Sequence, residues 1–268
     1  MSGFPKISVI TVVYNAADSI AKTLVSIRGQ TYENIEFIVI DGGSGDSTLS
    51  QIKDFDDIVS VLVSENDDGI YDAMNKGASY AMGEYITFLN AGDYYHSDDC
   101  LREIFGDAGV LAYDVVYGSN YYYKNNKMLL QTPRPLEHFY KGMPFNHQSV
   151  FVRSDLVKRY PFKHEVYRIQ CEYHFLLNLY ISGYSFHQLD TVVAVYEAGG
   201  FSDLNFLERS LERWLIVKRA GICNETVDKY YYSLVTRSFA GMSIIGNSGR
   251  LKQLMIKVKN RIRVRLFR

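Results

Sequence analysis

The sequence has little cysteine. Cys100, Cys171 and Cys223 are its only three, far apart and odd in number, which supports neither a disulfide framework nor a CxxC metal site. A reducing, cytoplasmic setting is the expectation. Long apolar runs are also missing, and none approaches the roughly 20 residues a bilayer-spanning helix needs. The chain opens Met1-Ser2-Gly3-Phe4-Pro5-Lys6, which lacks the layout of a signal peptide, so secretion is not expected. There is no Pro- or Ser-rich linker and no repeat of fixed period. Tryptophan occurs once against 22 tyrosines, a bias that fits amphipathic grooves but assigns no ligand.

What is present is enough for a core: 268 residues, 47% of them hydrophobic, bury one large core without disulfide or metal support. The net charge of -1 hides an uneven distribution, because residues 249–268 hold eight Lys or Arg and no acid. Residues 7–14, Ile-Ser-Val-Ile-Thr-Val-Val-Tyr, are β-branched and too apolar for an edge position, as in a strand covered on both faces. A helix over Asp18–Arg28 with Ile20, Leu24 and Ile27 at helical spacing follows, then a second apolar run, Ile35–Ile40. The pattern continues with a helix from Ser47, a strand over Ile58–Val63, a helix over Ile70–Ala81 and a strand over Tyr85–Leu89. Such alternation predicts a parallel sheet with right-handed crossovers. Beyond Asp93 the rhythm becomes mixed, with short strands near Val115–Gly118 and Ser149–Val152 and a hairpin around Tyr121–Tyr123. Two helices, from Asn205 and over Val227–Ile245, complete one domain over residues 1–204 with a helical extension over 205–268.

In open α/β sheets ligands bind beyond the carboxyl ends of the strands. Here those ends read Tyr14-Asn15, Asp41-Gly42-Gly43-Ser44, Glu65-Asn66-Asp67-Asp68-Gly69 and Asn90-Ala91-Gly92-Asp93. Asp and Gly serve turns and helix caps in any such loop, but four polar, acid-rich loops in register make a rim. A diphosphate there needs a divalent cation, Mn²⁺ or Mg²⁺, between itself and Asp93. No GxGxxG follows the first strand, which excludes a dinucleotide-dependent oxidoreductase. A glycine-rich basic loop for a triphosphate is absent as well, which argues against a nucleotidyltransferase.

Thr11-Val12-Val13-Tyr14-Asn15, Gln30-Thr31-Tyr32, Val39 to Ser44, Gly69 to Gly77 and Phe88 to Asp93 resemble, in that order, the motif series of family 2 glycosyltransferases, bacterial exopolysaccharide and colanic-acid enzymes in particular. The resemblance runs from about residue 6 to about residue 203. It implies a GT-A fold, an α/β Rossmann-like domain with a mostly parallel central sheet. It also implies an inverting transfer from a nucleotide-sugar, UDP-linked, to an acceptor hydroxyl, by a hexosyl- or N-acetylhexosaminyl-transferase of cell-surface polysaccharide assembly. The implied nucleotide-sugar site comprises Thr11, Tyr14, Asn15, Asp41, Asp72, Asn75 and Lys76. Asp41 suits the base N–H and Tyr14 the base ring, although a core aromatic is the other reading of Tyr14. Asp72 and Lys76, at i and i+4, equally suit a surface ion pair. The family's DxD signature is altered to Asn90-Ala91-Gly92-Asp93, leaving Asp93 and Asn90 as metal ligands.

The matching base position is Glu172, where similar enzymes carry an aspartate; a carboxylate stabilising a helix N-terminus is the alternative. His147 and Gln148, in Phe145-Asn146-His147-Gln148-Ser149, and the turn Gly199-Gly200-Phe201-Ser202 also match. The tail from Arg250 to Arg265 interleaves cations with aliphatics, as an interfacial helix does, and predicts a peripheral position at the inner membrane face with a saccharide or lipid-linked saccharide acceptor. A solvated end is the plainer reading of that tail, and nucleic acid is a poor partner for a near-neutral body. A non-catalytic sugar-binding protein on the same fold is the competing function.

Overall fold

The first apolar run folds as β1 (Ile7–Val13), buried along its whole length. A computed structural model describes residues 4–106, 108–197 and 205–243. Helix α1 (Ile20–Arg28) buries Ile20, Thr23, Leu24 and Ile27, one face at helical spacing. It leads into β2 (Ile35–Asp41), α2 (Thr48–Lys53) and β3 (Val59–Ser64), whose residues alternate in burial. Helix α3 (Ile70–Tyr80) follows, then β4 (Tyr85–Phe88). Gly77 lets α3 lie close on the sheet: a Cβ there would sit 2.5 Å from Ile10 Cγ2.

Beyond β4 come β5 (Tyr94–Tyr95), α4 (Cys100–Phe105), β6 (Val115–Lys124), β7 (Lys127–Gln131), β8 (Val150–Arg153), α5 (Ser154–Arg159) and β9 (Phe186–Glu197). The sheet order is β3-β2-β1-β4-β8-β6-β9-β5, with β7 paired to β6. β1 lies parallel to both β2 and β4, and β2 to β3, as the alternating pattern predicts. The other half mixes directions: β8 is antiparallel to β4 and β6, and β9 is parallel to β6. The strand near Val115–Gly118 and the tyrosine segment are one strand, β6, and its hairpin partner is β7. The chain moves outward from β1 to β2 and β3, then returns to β4 on the other side of β1. That reversal makes the carboxyl ends of β1 and β4 a topological switch point.

Among the described residues, those within 4–134, 145–162 and 183–197 form one compact unit, which contains the sheet. Those within 135–144, 163–182 and 205–243 form the other. Segments 135–144 and 163–182 join the C-terminal helices α7 (Phe206–Arg219) and α8 (Glu225–Ser243) for a visible reason. The buried Glu212 carboxylate of α7 accepts backbone N–H bonds from Arg168, Ile169 and Gln170 at 2.9, 2.9 and 3.0 Å. They fix the start of α6 (Cys171–Ile181). No helix among the described residues is long and apolar enough to cross a membrane.

Candidate functional site

At the end of β1 the backbone turns through Asn15 in the left-handed region, φ 46°. The Asn15 N–H donates to Ser44 Oγ at 2.8 Å, and its Oδ1 accepts from the Gly45 N–H at 2.9 Å. Ala16 N–H donates to Thr48 Oγ1 at 2.8 Å. Asn15 thus ties the loop after β1 to the loop after β2. Asp41, 0% exposed, finishes that second loop from beneath. Its oxygens accept from the N–H groups of Gly43 and Ser44 and from the hydroxyls of Ser44 and Ser64. Four donors fill the roughly four acceptor positions of a carboxylate. A base N–H could reach Asp41 only by displacing one of them.

Tyr14 is 64% exposed, a free aromatic face and not a core residue. Beside it, a Cβ on Gly42 would come within 3.4 Å of Tyr14 Cδ2 and 2.6 Å of Asp67 Oδ2. Gly43, at φ 82°, faces Asn66 Oδ1 in the same way, at 2.6 Å. The Gly-Gly pair is there because Asn66 and Asp67, from the loop after β3, lie directly over its backbone. In the sequence these two are rim residues with no role of their own, and the paired glycines after β2 are the signal that side chains lie over that loop. Thr11 is fully buried and its hydroxyl donates to the Leu89 carbonyl at 2.6 Å, so its contribution is to bind β1 to the end of β4.

On α3, Asn75 is a clamp: its amide donates to the Phe162 carbonyl at 2.9 Å and accepts the Phe162 N–H at 2.8 Å. Asp72 accepts the Asp68 N–H at 3.1 Å, within the first turn of α3. Lys76 Nζ reaches Glu65 at 3.0 Å, Asp72 at 3.4 Å and the Asn66 carbonyl at 3.2 Å, and the Glu65 carboxylate is the main reason its pKa is raised. The ion pair expected between Asp72 and Lys76 therefore exists, extended by Glu65 to hold the loop after β3.

The turn after β4 is differently made. Gly92, at φ 97°, closes it against Ser19. Thr23 Oγ1 accepts the Gly92 N–H at 2.9 Å and donates to the Asp93 carbonyl at 2.7 Å. The Asp93 side chain is 9% exposed and receives one side-chain bond, from Gln148 Nε2 at 3.0 Å. Burial pushes its pKa up to about 7, against the lowering effect of that bond. Asn90 Oδ1 and Gln148 Oε1 are buried without a hydrogen-bond partner. A carboxylate without counter-charge beside orphaned amide oxygens is a hard-oxygen donor set, and it fits a divalent cation. Among the described residues no group of three His, Cys, Asp or Glu could hold a metal, so amide oxygens would have to complete such a set.

His147 opens the short 3₁₀ turn His147–Ser149, and Asn146 caps it by accepting the Gln148 N–H at 3.3 Å. Gln148, a secondary candidate by sequence, is the residue that touches Asp93. Glu172 lies in the second unit, in the first turn of α6 and half-buried. Residues 199–202 and the basic tail lie outside the described residues.

An exposed aromatic, Tyr14, and an acid-rich rim stand at the switch point, and comparison with known proteins gives the fold and the family. The fold matches that of "S. aureus TarS 1-349 in complex with UDP", with a TM-score of 0.70 at 18% identity, over 96% of this chain and 80% of that one. It also matches the mannosyltransferase PcManGT from Pyrobaculum calidifontis, solved with GDP-Man and Mn²⁺, with a TM-score of 0.65 at 16% identity, over 99% and 85%. This is the GT-A fold. The family model for glycosyl transferase family 2 matches residues 8–165, more than half of the chain; the chain belongs to that family.

Among its relatives, a PGL/p-HBAD biosynthesis glycosyltransferase of Mycobacterium tuberculosis is 28% identical over 81% of this chain and 87% of its own length. An uncharacterised glycosyltransferase of Haemophilus influenzae is 31% identical over 61% and 69%. With an uncharacterised glycosyltransferase of M. tuberculosis the identity is 38%, but the match spans 38% of this chain and 40% of that protein.

Proposed function

We propose that this protein is an inverting glycosyltransferase that moves a hexosyl or N-acetylhexosaminyl group from a UDP-linked donor to an acceptor hydroxyl in cell-surface polysaccharide assembly. The observation that carries the reading is the convergence of Tyr14, the Gly42-Gly43 loop and the Asn90–Asp93 turn on the switch point beside β1. Tyr14 offers its face to the base, and Asn66 and Asp67 beside it offer acceptors to ribose hydroxyls. Asn15, Asp41, Asn75 and Lys76 hold the loops that present these groups, and Thr11 holds β1 against the end of β4.

Asp93 and Asn90 would hold a divalent cation, with Gln148 steadying Asp93, and that cation would supply positive charge to the leaving diphosphate. The acceptor oxygen attacks the anomeric carbon as the bond from that carbon to the diphosphate oxygen breaks. The bonding electrons leave with the nucleoside diphosphate, and the hydroxyl proton passes to a base. The base is Glu172, assigned on the motif resemblance. A saccharide or lipid-linked saccharide is the acceptor, and residues 250–268 support a peripheral position at the cytoplasmic membrane face.

Calorimetry with UDP, GDP, dTDP and CMP, with and without Mn²⁺, tests the reading. Metal-dependent binding of UDP, lost in Asp93→Ala and weakened in Tyr14→Ala, is expected. Donor turnover that falls at least about a hundredfold in Glu172→Gln while UDP binding is kept would separate the base from the binding site. UDP binding without turnover of any UDP-sugar would instead indicate the non-catalytic alternative.

A further inference from the structure

The hairpin of β6 and β7 breaks the pattern that makes a strand soluble. From Val115 to Leu136 there is no Asp or Glu, and every residue from Tyr123 to Leu130 is exposed. Met128, Leu129 and Leu130 stand in an unbroken apolar run, with Met128 48% and Leu130 52% exposed. Exposed apolar runs of this length are avoided in soluble strands unless something covers them.

Both faces of the ribbon are affected. Tyr121 pairs with Leu130 and Tyr123 with Met128 on one face, while Tyr122 pairs with Leu129 on the other. The tip turns through Asn125 and Asn126, at φ 52° and 59°, and an exposed lysine, Lys124 or Lys127, flanks it on each side. Among the described residues β7 pairs only with β6, so one edge of the ribbon is open.

We infer that the β6–β7 hairpin is a membrane-contacting tip that enters the interface of an anionic bilayer. A protein partner or a second copy laid against the ribbon would cover one face or extend the open edge, leaving the other apolar face in water. β9 pairs with β6 only as far as Tyr123, opposite Glu197, and a bilayer interface receives both faces of the β7 edge and tip that project beyond it. Lys124 and Lys127 at the tip outnumber the one acid there, Glu197 at the end of β9 opposite Tyr123, so the tip complements anionic headgroups, and tyrosines are at home at that depth. The open edge of β7 keeps the insertion shallow, because its N–H and C=O groups need water or headgroups as partners. The inference is independent of the transferase reading, since vesicle binding is measured without donor or acceptor.

The test is co-sedimentation of the full chain with phosphatidylglycerol–phosphatidylcholine vesicles and with pure phosphatidylcholine vesicles. Met128→Glu/Leu130→Glu is expected to weaken partitioning to the anionic vesicles about tenfold or more. Lys124→Glu/Lys127→Glu should do so by about the same factor at low salt and by less at high salt. Lys53→Glu, at an exposed position of α2, serves as the charge control and should retain binding. All four side chains in the hairpin variants are exposed, so an unchanged circular dichroism spectrum and melting temperature are expected to accompany the loss. Absence of wild-type binding to anionic vesicles would overturn the inference. So would equal binding by the hairpin variants, which keep residues 250–268 and would place any contact elsewhere. A wild-type dimer that Met128→Glu/Leu130→Glu dissociates, with vesicle binding unchanged, would reassign the surface to self-association and overturn it as well.

Discussion

The two sides of the rim treat their carboxylates in opposite ways. Beside β2, Asp41 is sealed in, and donors from Gly43, Ser44 and Ser64 satisfy both of its oxygens. Beside β4, Asp93 is nearly as buried but has a single side-chain donor, and its neighbours Asn90 and Gln148 each leave an amide oxygen orphaned. One side is satisfied by donors of the chain itself; the other leaves acceptors open. The contrast separates residues of the same type: Asp41 shapes the loop after β2, and Asp93, in the proposed function, would supply charge to a ligand.

The largest effect that can break this comparison is in the pH dependence of stability. The Asp93 pKa is pushed up to about 7 from an ordinary 3.8, so its ionised form destabilises the folded state. The stabilising contribution of protonated Asp93 is fully present below pH 3.8 and is lost as pH rises towards 7. The shift corresponds to roughly 4 kcal/mol at most. The melting temperature of Asp93→Asn relative to wild type should therefore rise across that window and then level off. Mn²⁺ should narrow the gap at high pH by stabilising wild type alone. A pH-independent gap would mean that Asp93 is no less satisfied than Asp41.

Asp41→Asn comes next. It replaces an acceptor-only group with an amide that meets donors, so a loss of about 2–4 kcal/mol is expected, read as a melting temperature lower by about 4–16 °C. A variant as stable as wild type would show that the β2 side is not closed. Gly92→Ala sharpens the other side: with φ 97° and Ser19 Cβ 3.3 Å from the added methyl, it should cost about 1–2 kcal/mol and weaken Mn²⁺ binding in calorimetry. The smallest effect belongs to Tyr14→Ala. An exposed ring carries little of the fold, so denaturant midpoints should stay put while UDP binding weakens by up to about tenfold.

The half of the fold that was legible in the sequence is the half built from local, strongly patterned elements. Apolar runs at Ile7–Val13 and Ile35–Asp41 are buried parallel strands, and their ends mark the rim. The membership of residues 135–144 and 163–182 in the second unit was not legible. It depends on Glu212 receiving N–H bonds from residues 42–44 positions away, and no periodicity records such a bond. The exposure of Tyr14 was legible because it follows the end of a strand. The clamp of Asn75 was not, because only the folded chain brings its amide onto Phe162, 87 positions on. The Gln148 to Asp93 bond, across 55 positions, was hidden for the same reason.

Those separations also set an order of assembly. The links that close the β1–β2 side join residues 29 to 32 positions apart, a span that a single βαβ unit closes at small entropic cost. The Gln148 bond to Asp93 waits for β8 to arrive beside β4. During folding, then, the aromatic ledge of Tyr14 and its Gly-Gly neighbour are set first. The acidic turn acquires Gln148 only when the far half of the sheet has docked, so amides near Ser44 should gain protection from hydrogen exchange before those near Asp93.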